Sequence, residues 1–511
     1  MLLRELIKAI EPLKFEGSLE RRVTGITYDS RRVLPGMAFV AVIGNRADGH
    51  SFIIDAIDRG AVAIVCEKDD FVLPSVTKIV VKNSRRALAL LSEKFYDSPS
   101  KKLKVIGVTG TNGKTTVTFM LKAILEAAGI KTGLLGTVHY EIGDRIIPAS
   151  RTTPESLEIQ KMMAEMLNNS CKACVMEVSS HSLVQDRVLG VDFDFCIFTN
   201  LTRDHLDYHH DFENYYQAKR KLFLPEFPYS KPTAAIINID DNYGQRLAGE
   251  CRLSVLVTYG INKSAEINAS EIKLMSSGTE LTLSYQSLKK RIFIPLVGRH
   301  NVYNALAAIS TALIMGLDIN IIEHAIANMP AVPGRLEHVN CGQDFTVLVD
   351  YAHTDDALYN VLSALREVTS GRIITVFGCG GNRDASKRPK MGAVAAKYSD
   401  YTIITTDNPR KERAEDIALQ IKSGYEEVRS GGYEIELDRK LAIETALKMA
   451  KTGDTVLIAG KGHETYQEFE DTIIPFDDRL YAENVLKILV GSTAKPGKGL
   501  KKKSKLEIQW T

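Results

Sequence analysis

Long hydrophobic runs are missing from this chain. Its longest apolar stretches, such as residues 61–66 and 455–459, fall far short of the roughly 18 residues that cross a bilayer. No transmembrane segment is expected. The N-terminus breaks its apolar run with Arg4, Glu5 and Lys8, which is not the pattern of a secretory signal. Cysteine is scarce: there are seven, at positions 66, 171, 174, 196, 251, 341 and 379. An odd, scattered set fits reduced thiols in the cytoplasm better than a disulfide framework. Cys171 and Cys174 have redox or zinc-knuckle spacing, but no second such pair accompanies them and they abut an apolar strand. They read as structural thiols. Sixteen prolines and 36 glycines are too few for a collagen-like or low-complexity chain. Net charge is also nearly absent, at +2 from 65 basic and 63 acidic residues.

What is present is ordinary for a globular protein: 44% hydrophobic and 25% charged residues. There is ample apolar surface to offset chain entropy, which excludes wholesale disorder. A length of 511 residues suggests about three domains. The charge is unevenly spread. Residues 491–511 hold six lysines and one acid, so that tail carries +5 and the rest carries −3.

Short β-branched runs alternate with helical patterns from about residue 103. Residues 103–108 read as a buried strand and 115–128 as a helix ending at Gly129. Residues 173–178, 193–198 and 234–239 are further strand runs. A second series comprises 345–349, 372–377, 401–405 and 455–459. This spacing implies βαβ crossovers and parallel sheets. The fold class is therefore α/β with three domains: a small N-terminal α/β unit (1–98), a central parallel-sheet domain with a phosphate loop (99–331) and a C-terminal Rossmann-like domain (332–490). Residues 97–100 and 331–334 are the expected linkers, and 491–511 a flexible tail.

The strongest motif is Gly110-Thr111-Asn112-Gly113-Lys114-Thr115-Thr116, between a strand and a helix. Glycines let backbone N–H groups converge on phosphate oxygens, and the helix N-terminus adds positive potential. Lys114 suits the β- and γ-phosphates, and a threonine hydroxyl suits magnesium. Val108 stands where the generic motif has glycine. Glu177 ends the next strand, where open α/β sheets bind ligands, and is a candidate magnesium ligand. Asp204, His205, Asp207, His209 and His210 follow another strand and suggest a cation or phosphate site. Lys219 and its basic neighbours read as a solvated helix face. Asn301 opens a helix and suits either an adenine edge or a cap. In the last domain, loops around Arg335, Asp350, Arg383, Asp407–Arg410 and Gly460–Glu464 follow strands of one sheet and imply a ligand cleft.

Together, residues 109–116, 176–181, 218–219, 300–304, 334–335 and 350–353 resemble the Mur ligases in order and spacing. These are ATP-dependent amide-forming enzymes of peptidoglycan synthesis. The resemblance runs from about Val23 to Val490 and is strongest to members that add the third residue of the stem peptide. It implies a cytoplasmic ligase with ATP and Mg2+ as cofactors, acting as a monomer on small molecules without nucleic acid. It gives Ser30, Asn45, Arg46 and Ala47 to uridine diphosphate, and Thr152, Thr153, Ser179, Gln185 and Arg187 to the muramoyl dipeptide. ATP falls to Gly110, Thr111, Asn112, Gly113, Lys114, Thr115 and Thr116, with Asn301 at adenine and Arg335 and Asp350 from the last domain. Lys114, Glu177, His205 and Lys219 are catalytic. Thr115, Glu177, His205 and a carbamylated Lys219 are the implied metal set, which reverses the solvated reading of Lys219.

Asp407, Asn408, Pro409 and Arg410 resemble the signature of members that add meso-diaminopimelate. Arg383, Gly460 and Glu464 match the rest of that pocket. Diaminopimelate differs from lysine by a second carboxylate, which an arginine can pair with bidentately. A site built on that pair rejects lysine, because its arginine would stay unpaired. The rival readings are the same ligase adding L-lysine, a folylpolyglutamate-type ligase, or a regulatory phosphate-loop NTPase that binds nucleic acid through the lysine tail.

Overall fold

The computed structural model describes residues 1–44, 47–73, 75–224 and 230–493. Asn45, Arg46 and the lysines of the basic tail lie outside the described residues. The chain divides between Val332 and Pro333 into two compact units.

The first unit holds two sheets. One is built from β1 (Lys14–Glu16), β2 (Ile26–Thr27), β3 (Ala38–Val40), β4 (Ala63–Cys66) and β5 (Thr77–Val80), in the order β1-β5-β4-β3-β2. Only β1 runs antiparallel to its neighbour. Helix Ser84–Phe95 closes this part, its N-terminus capped by Asn83. The segment read as a linker is tightly held. Asp97 and Ser98 take positive φ, and the wholly buried Ser100 accepts a hydrogen bond from Asp192 N at 3.0 Å.

The second sheet has eleven strands. They are β6 (Lys104–Thr109), β7 (Thr132–Leu135), β8 (His139–Ile142), β9 (Arg145–Pro148), β10 (Ala173–Glu177), β11 (Phe195–Phe198), β12 (Ala234–Asn238), β13 (Val255–Gly260), β14 (Ile267–Met275), β15 (Gly278–Tyr285) and β16 (Leu288–Ile294). The order is β16-β15-β14-β13-β12-β11-β6-β10-β7-β8-β9. The middle, β14 to β7, is parallel as the spacing implies. Antiparallel strands at both margins make the sheet mixed. Their signal was period-2 alternation, as in Leu281 and Leu283 buried on β15, rather than a continuous apolar run.

The parallel strands are apolar throughout because both faces are covered. Ile106 and Val108 face helices Lys114–Ala127 and Arg299–Ile314, while Val105 and Met176 face Ile159, Met163 and Phe223. Cys174 and Cys196 pack in the second layer, where burial pushes the Cys174 thiol well above its ordinary value. Helix Lys114–Ala127 buries Val117, Leu121 and Ile124 at helical spacing. It ends where Gly129 takes φ +76° and Ile130 N bonds back to Leu125 O at 2.8 Å.

The second unit is one sheet: β17 (Glu337–His338), β18 (Thr346–Asp350), β19 (Ile373–Phe377), β20 (Tyr401–Ile404), β21 (Tyr433–Ile435) and β22 (Thr455–Ala459), in the order β17-β18-β22-β19-β20-β21. All but β17 are parallel. A hairpin of β23 (Tyr466–Phe469) and β24 (Thr472–Pro475) follows. Helix Asp478–Thr493 runs past residue 490, so the first residues of the expected tail are helical.

Leu121 is wholly buried between the sheet and its neighbouring helices. Leu121→Ala should destabilise the first unit by about 2–5 kcal/mol through lost transfer energy and the cavity left behind. The check is a lower denaturant midpoint for the first unit, with the second unit's transition unmoved.

Candidate active site

The phosphate-loop glycines are fixed by contact. Gly110 has φ +146°, and an added Cβ would lie 1.9 Å from Thr199 Oγ1. Gly113 caps the helix at φ +90°, with an added Cβ 2.2 Å from Asn304 Oδ1. The loop leans on the segment after β11. Thr111 N donates to Asn200 O and Asn112 N to Asn200 Oδ1, both at 2.9 Å, and Thr199 Oγ1 donates to Asn112 O at 2.6 Å. Thr111 Oγ1 meets Tyr215 OH at 3.1 Å. Thr115 and Thr116 are buried at the helix start.

Two lysine side chains converge on one carbonyl. Lys114 Nζ donates to Gly110 O at 2.9 Å and Lys219 Nζ donates to the same oxygen at 2.8 Å. Lys219 is 1% exposed, on helix Phe212–Arg220, with its Nζ 4.6 Å from the Tyr215 ring centre. Its solvated reading is thus corrected: Lys219 and Ala218 face inward with Leu222 and Phe223, and it is Lys221 that faces water. Burial, and then the charge of Lys114, drive the Lys219 amine well below the ordinary lysine value.

Glu177 is 1% exposed at the end of β10. It accepts from Thr115 Oγ1 at 3.0 Å, Thr137 N at 2.8 Å and Thr137 Oγ1 at 3.0 Å. The two oxygen donors expected for magnesium therefore touch. Among the described residues no three His, Cys, Asp or Glu side chains form a metal cluster. That donor set fits a magnesium ion held by one or two protein oxygens together with substrate phosphates. His205 starts the short helix Leu206–His209 at φ +54° and lies 3.4 Å from Asp204. Its imidazole is held below the ordinary value by burial, with His181, Lys114 and Lys219 adding to the shift against Asp204. The spacing left three histidines open; the structure separates two of them. His209 is buried, stacked on Tyr215 and bonded to Ser180 Oγ at 2.8 Å.

The expected dipeptide residues form one network beside Glu177. Thr153 Oγ1 donates to Glu177 O at 2.8 Å and accepts from Ser179 N at 3.0 Å. Arg187 Nη1 donates to Thr153 O at 3.1 Å, and its Nε to Gln185 Oε1 at 3.0 Å. Thr152 Oγ1 lies 3.1 Å from Thr137 Oγ1, whose own proton goes to Glu177. Ser30 is buried at the start of the 3-10 turn Ser30–Arg32, and Ala47 is exposed, its carbonyl accepting from Gly44 N at 2.9 Å. Asn301 lies buried in the first turn of its helix and, among the described residues, makes no capping bond to a backbone N–H. Its Nδ2 donates to Val297 O at 2.9 Å and its Oδ1 accepts from Asn304 at 3.0 Å.

In the second unit, Asp350 Oδ2 accepts from Leu336 N at 2.7 Å and Oδ1 from Ala352 N at 2.8 Å. Burial raises its pKa against the pull of Arg335, whose guanidinium lies 4.8 Å over the Tyr351 ring. The loops after β20 and β22 interlock. Asn408 Nδ2 donates to Glu464 Oε2 at 2.8 Å, and Asn408 Oδ1 accepts from Glu468 N at 3.0 Å. Lys461, wholly buried, donates to Asn408 Oδ1 and Glu464 Oε2, both at 3.0 Å. Asp407 is 7% exposed, and its carboxylate makes no hydrogen bond among the described residues. An added Cβ on Gly460 would lie 2.7 Å from Asp407 Oδ2. Arg410 donates from Nε to Glu468 Oε2 at 2.7 Å and from Nη1 to Gly381 O at 2.9 Å. Pro409 is buried against Gly381, and Arg383 is exposed on the same loop.

The sequence reading missed Thr137, Tyr215, Lys461 and Glu468. Thr137 was findable, because it follows a strand next to β10. Lys461 lies inside a motif already singled out. Nothing in the spacing points to Glu468.

Three family descriptions match the chain: the Mur ligase family catalytic domain over residues 22–96, the Mur ligase middle domain over 108–312 and the Mur ligase glutamate ligase domain over 334–462. The chain belongs to the Mur ligase family. It is 46% identical over 493 residues to the UDP-N-acetylmuramoyl-L-alanyl-D-glutamate--2,6-diaminopimelate ligase 1 of Clostridium acetobutylicum, covering 95% of this chain and 100% of that one. A solved UDP-N-acetylmuramoyl-L-alanyl-D-glutamate--2,6-diaminopimelate ligase is 30% identical, with a TM-score of 0.69 over 95% of this chain and 99% of that one. The MurF ligase from Thermotoga maritima in complex with ADP shares the fold, at 17% identity and a TM-score of 0.64 over 93% and 99%.

Gly110→Ala should push the loop off Thr199 while leaving the core intact. Turnover should fall by about 10²-fold through misplacement of the phosphates. The check is loss of ATP-dependent thermal stabilisation in a variant whose ligand-free melting is close to that of the parent.

Proposed function

We propose that this chain is an ATP-dependent ligase that joins meso-diaminopimelate to UDP-N-acetylmuramoyl-L-alanyl-D-glutamate, in cytoplasmic peptidoglycan precursor synthesis. The observation that carries the reading is the cluster in which Glu464 and Arg410 are joined through Asn408 and Glu468, with Asp407 beside Gly460. An arginine there suits the distal carboxylate, and the two acids suit the distal ammonium. The likeness to named diaminopimelate ligases supports the same amino acid.

The D-glutamyl carboxylate attacks the γ-phosphorus of ATP and ADP leaves, giving an acyl phosphate. An amine of diaminopimelate then attacks the acyl carbon, loses a proton, and inorganic phosphate departs from the tetrahedral intermediate. Two anions must approach in the first step. Lys114 and the helix N-terminus behind it offset that repulsion. Thr115, Glu177, His205 and a carbamylated Lys219 would hold magnesium, which supplies further charge compensation when bound. The roles of Asn301, Arg335 and Asp350 at ATP, of Ser30 and Ala47 at uridine diphosphate, and of Thr152, Thr153, Ser179, Gln185 and Arg187 at the dipeptide belong to this reading. So does action as a monomer.

Carbamylation of Lys219 has a physical motive. A buried, neutral amine is the form that adds to carbon dioxide, forming an N–C bond and releasing a proton. The resulting anion would sit beside the Lys114 ammonium and attract it.

ATP turnover should require both the nucleotide dipeptide and an amino acid, with diaminopimelate used far better than lysine or ornithine and no stimulation by polynucleotide. Arg410→Met should cut kcat/KM for diaminopimelate by about 10²–10⁴-fold, since a charge-assisted bidentate pair is lost. Equal use of lysine by the parent enzyme would sink the diaminopimelate assignment. Stripping carbon dioxide should lower activity and bicarbonate should restore it. A 13C-bicarbonate carbamate signal present in the parent and absent from Lys219→Arg checks the modification directly.

A further inference from the structure

Lys461 is a wholly buried ammonium that the proposed reaction does not use. It lies behind the amino-acid pocket, bonded to Asn408 and Glu464 at 3.0 Å and 5.3 Å from the Tyr466 ring centre. Burying a lysine is costly unless it is paired, so its charge serves whatever the pocket must balance.

The charges of its bonded cluster can be counted. Glu464 and Glu468 are the acids, and Lys461 and Arg410 the bases that pair with them. Arg383 and Arg410 flank Gly380, where an added Cβ would lie 3.9 Å from Arg383 Cγ and 3.1 Å from Arg410 Nη1. Beneath the same strand ends, Arg439 and Asp478 form a wholly buried pair that adds no net charge. It fixes position instead, since Arg439 also donates to Thr406 O and Ala459 O. The bonded cluster is thus neutral with Lys461 and one unit negative without it.

A neutral pocket with separated charges suits a zwitterionic side-chain end, which carries one carboxylate and one ammonium. A pocket of net −1 suits a lone ammonium. We infer that Lys461 determines amino-acid choice: by cancelling one carboxylate it keeps the pocket from attracting a substrate whose side chain ends in an amine alone. Lys461 acts through Glu464 and Asn408 and is a positioning residue. Glu468 acts in the opposite sense, because it occupies Arg410 with an internal carboxylate at 2.7 Å. The inference rests on the reading of this pocket as the diaminopimelate site.

The test measures kcat/KM for meso-diaminopimelate and for L-lysine on the full chain, with ATP and the nucleotide dipeptide held saturating. Lys461→Met should lower the diaminopimelate-to-lysine ratio by about fivefold or more, the effect of one uncompensated charge about 4 Å away even at the dielectric of water. KM for ATP and for the nucleotide should stay put. Lys461→Arg, which keeps the charge, should keep the ratio near that of the parent. Glu468→Gln should raise the ratio. Proportional loss of both amino acids in Lys461→Met, with the ratio unchanged, overturns the inference. If Lys461→Met shows no cooperative melting, Glu468→Gln decides: a ratio that fails to rise overturns the inference too. A parent that does not prefer diaminopimelate overturns the functional reading instead, and the direction of the ratio change still reports on Lys461.

Discussion

Two lysines share the carbonyl of Gly110, and much of the first unit is arranged around that crowding. Lys114 arrives from the helix that follows the loop, Lys219 from a helix a hundred residues later. Their repulsion, added to burial, holds Lys219 toward its neutral form. Glu177 supplies the nearby negative charge of the strand end and ties itself to Thr115 and Thr137. The loop glycines follow from the same crowding, because Thr199 and Asn304 occupy the space a side chain would need. Lys114 and the helix N-terminus behind it suit the loop to receive a polyanion.

The second unit solves a different problem. Its strand ends carry acids and bases bonded in pairs, and the loops that hold them are bonded to one another. Arg439 and Asp478, wholly buried beneath, fix those ends in place. Precision here comes from paired charges inside the fold, where solvent cannot screen them.

Much of this was legible in the chain. Parallel strands buried on both faces write themselves as continuous apolar runs, so β6, β10, β12 and β22 were located to within a residue or two. The phosphate loop was legible because its glycines, lysine and threonines must be adjacent. The antiparallel margins were overlooked because one exposed face dilutes their pattern. Spacing alone gave Lys219 a solvated reading, which the resemblance reversed: a lysine beside Arg220 and Lys221 looks solvated, and only the rotation of its helix turns it inward.

The sequence by itself determined the α/β class, the position of the phosphate loop, the resemblance to Mur ligases and the residue types available at each strand end. These are local properties, set by spacing and side-chain chemistry. Only the tertiary structure decided that Lys114 and Lys219 meet on one carbonyl, that Asn301 is turned into its own helix, that Arg410 already holds Glu468, and that Lys461 lies buried behind Glu464. Such pairings join residues that are distant in the chain or hidden in a loop. Charge interactions depend on separation and burial, and neither quantity is written along the sequence.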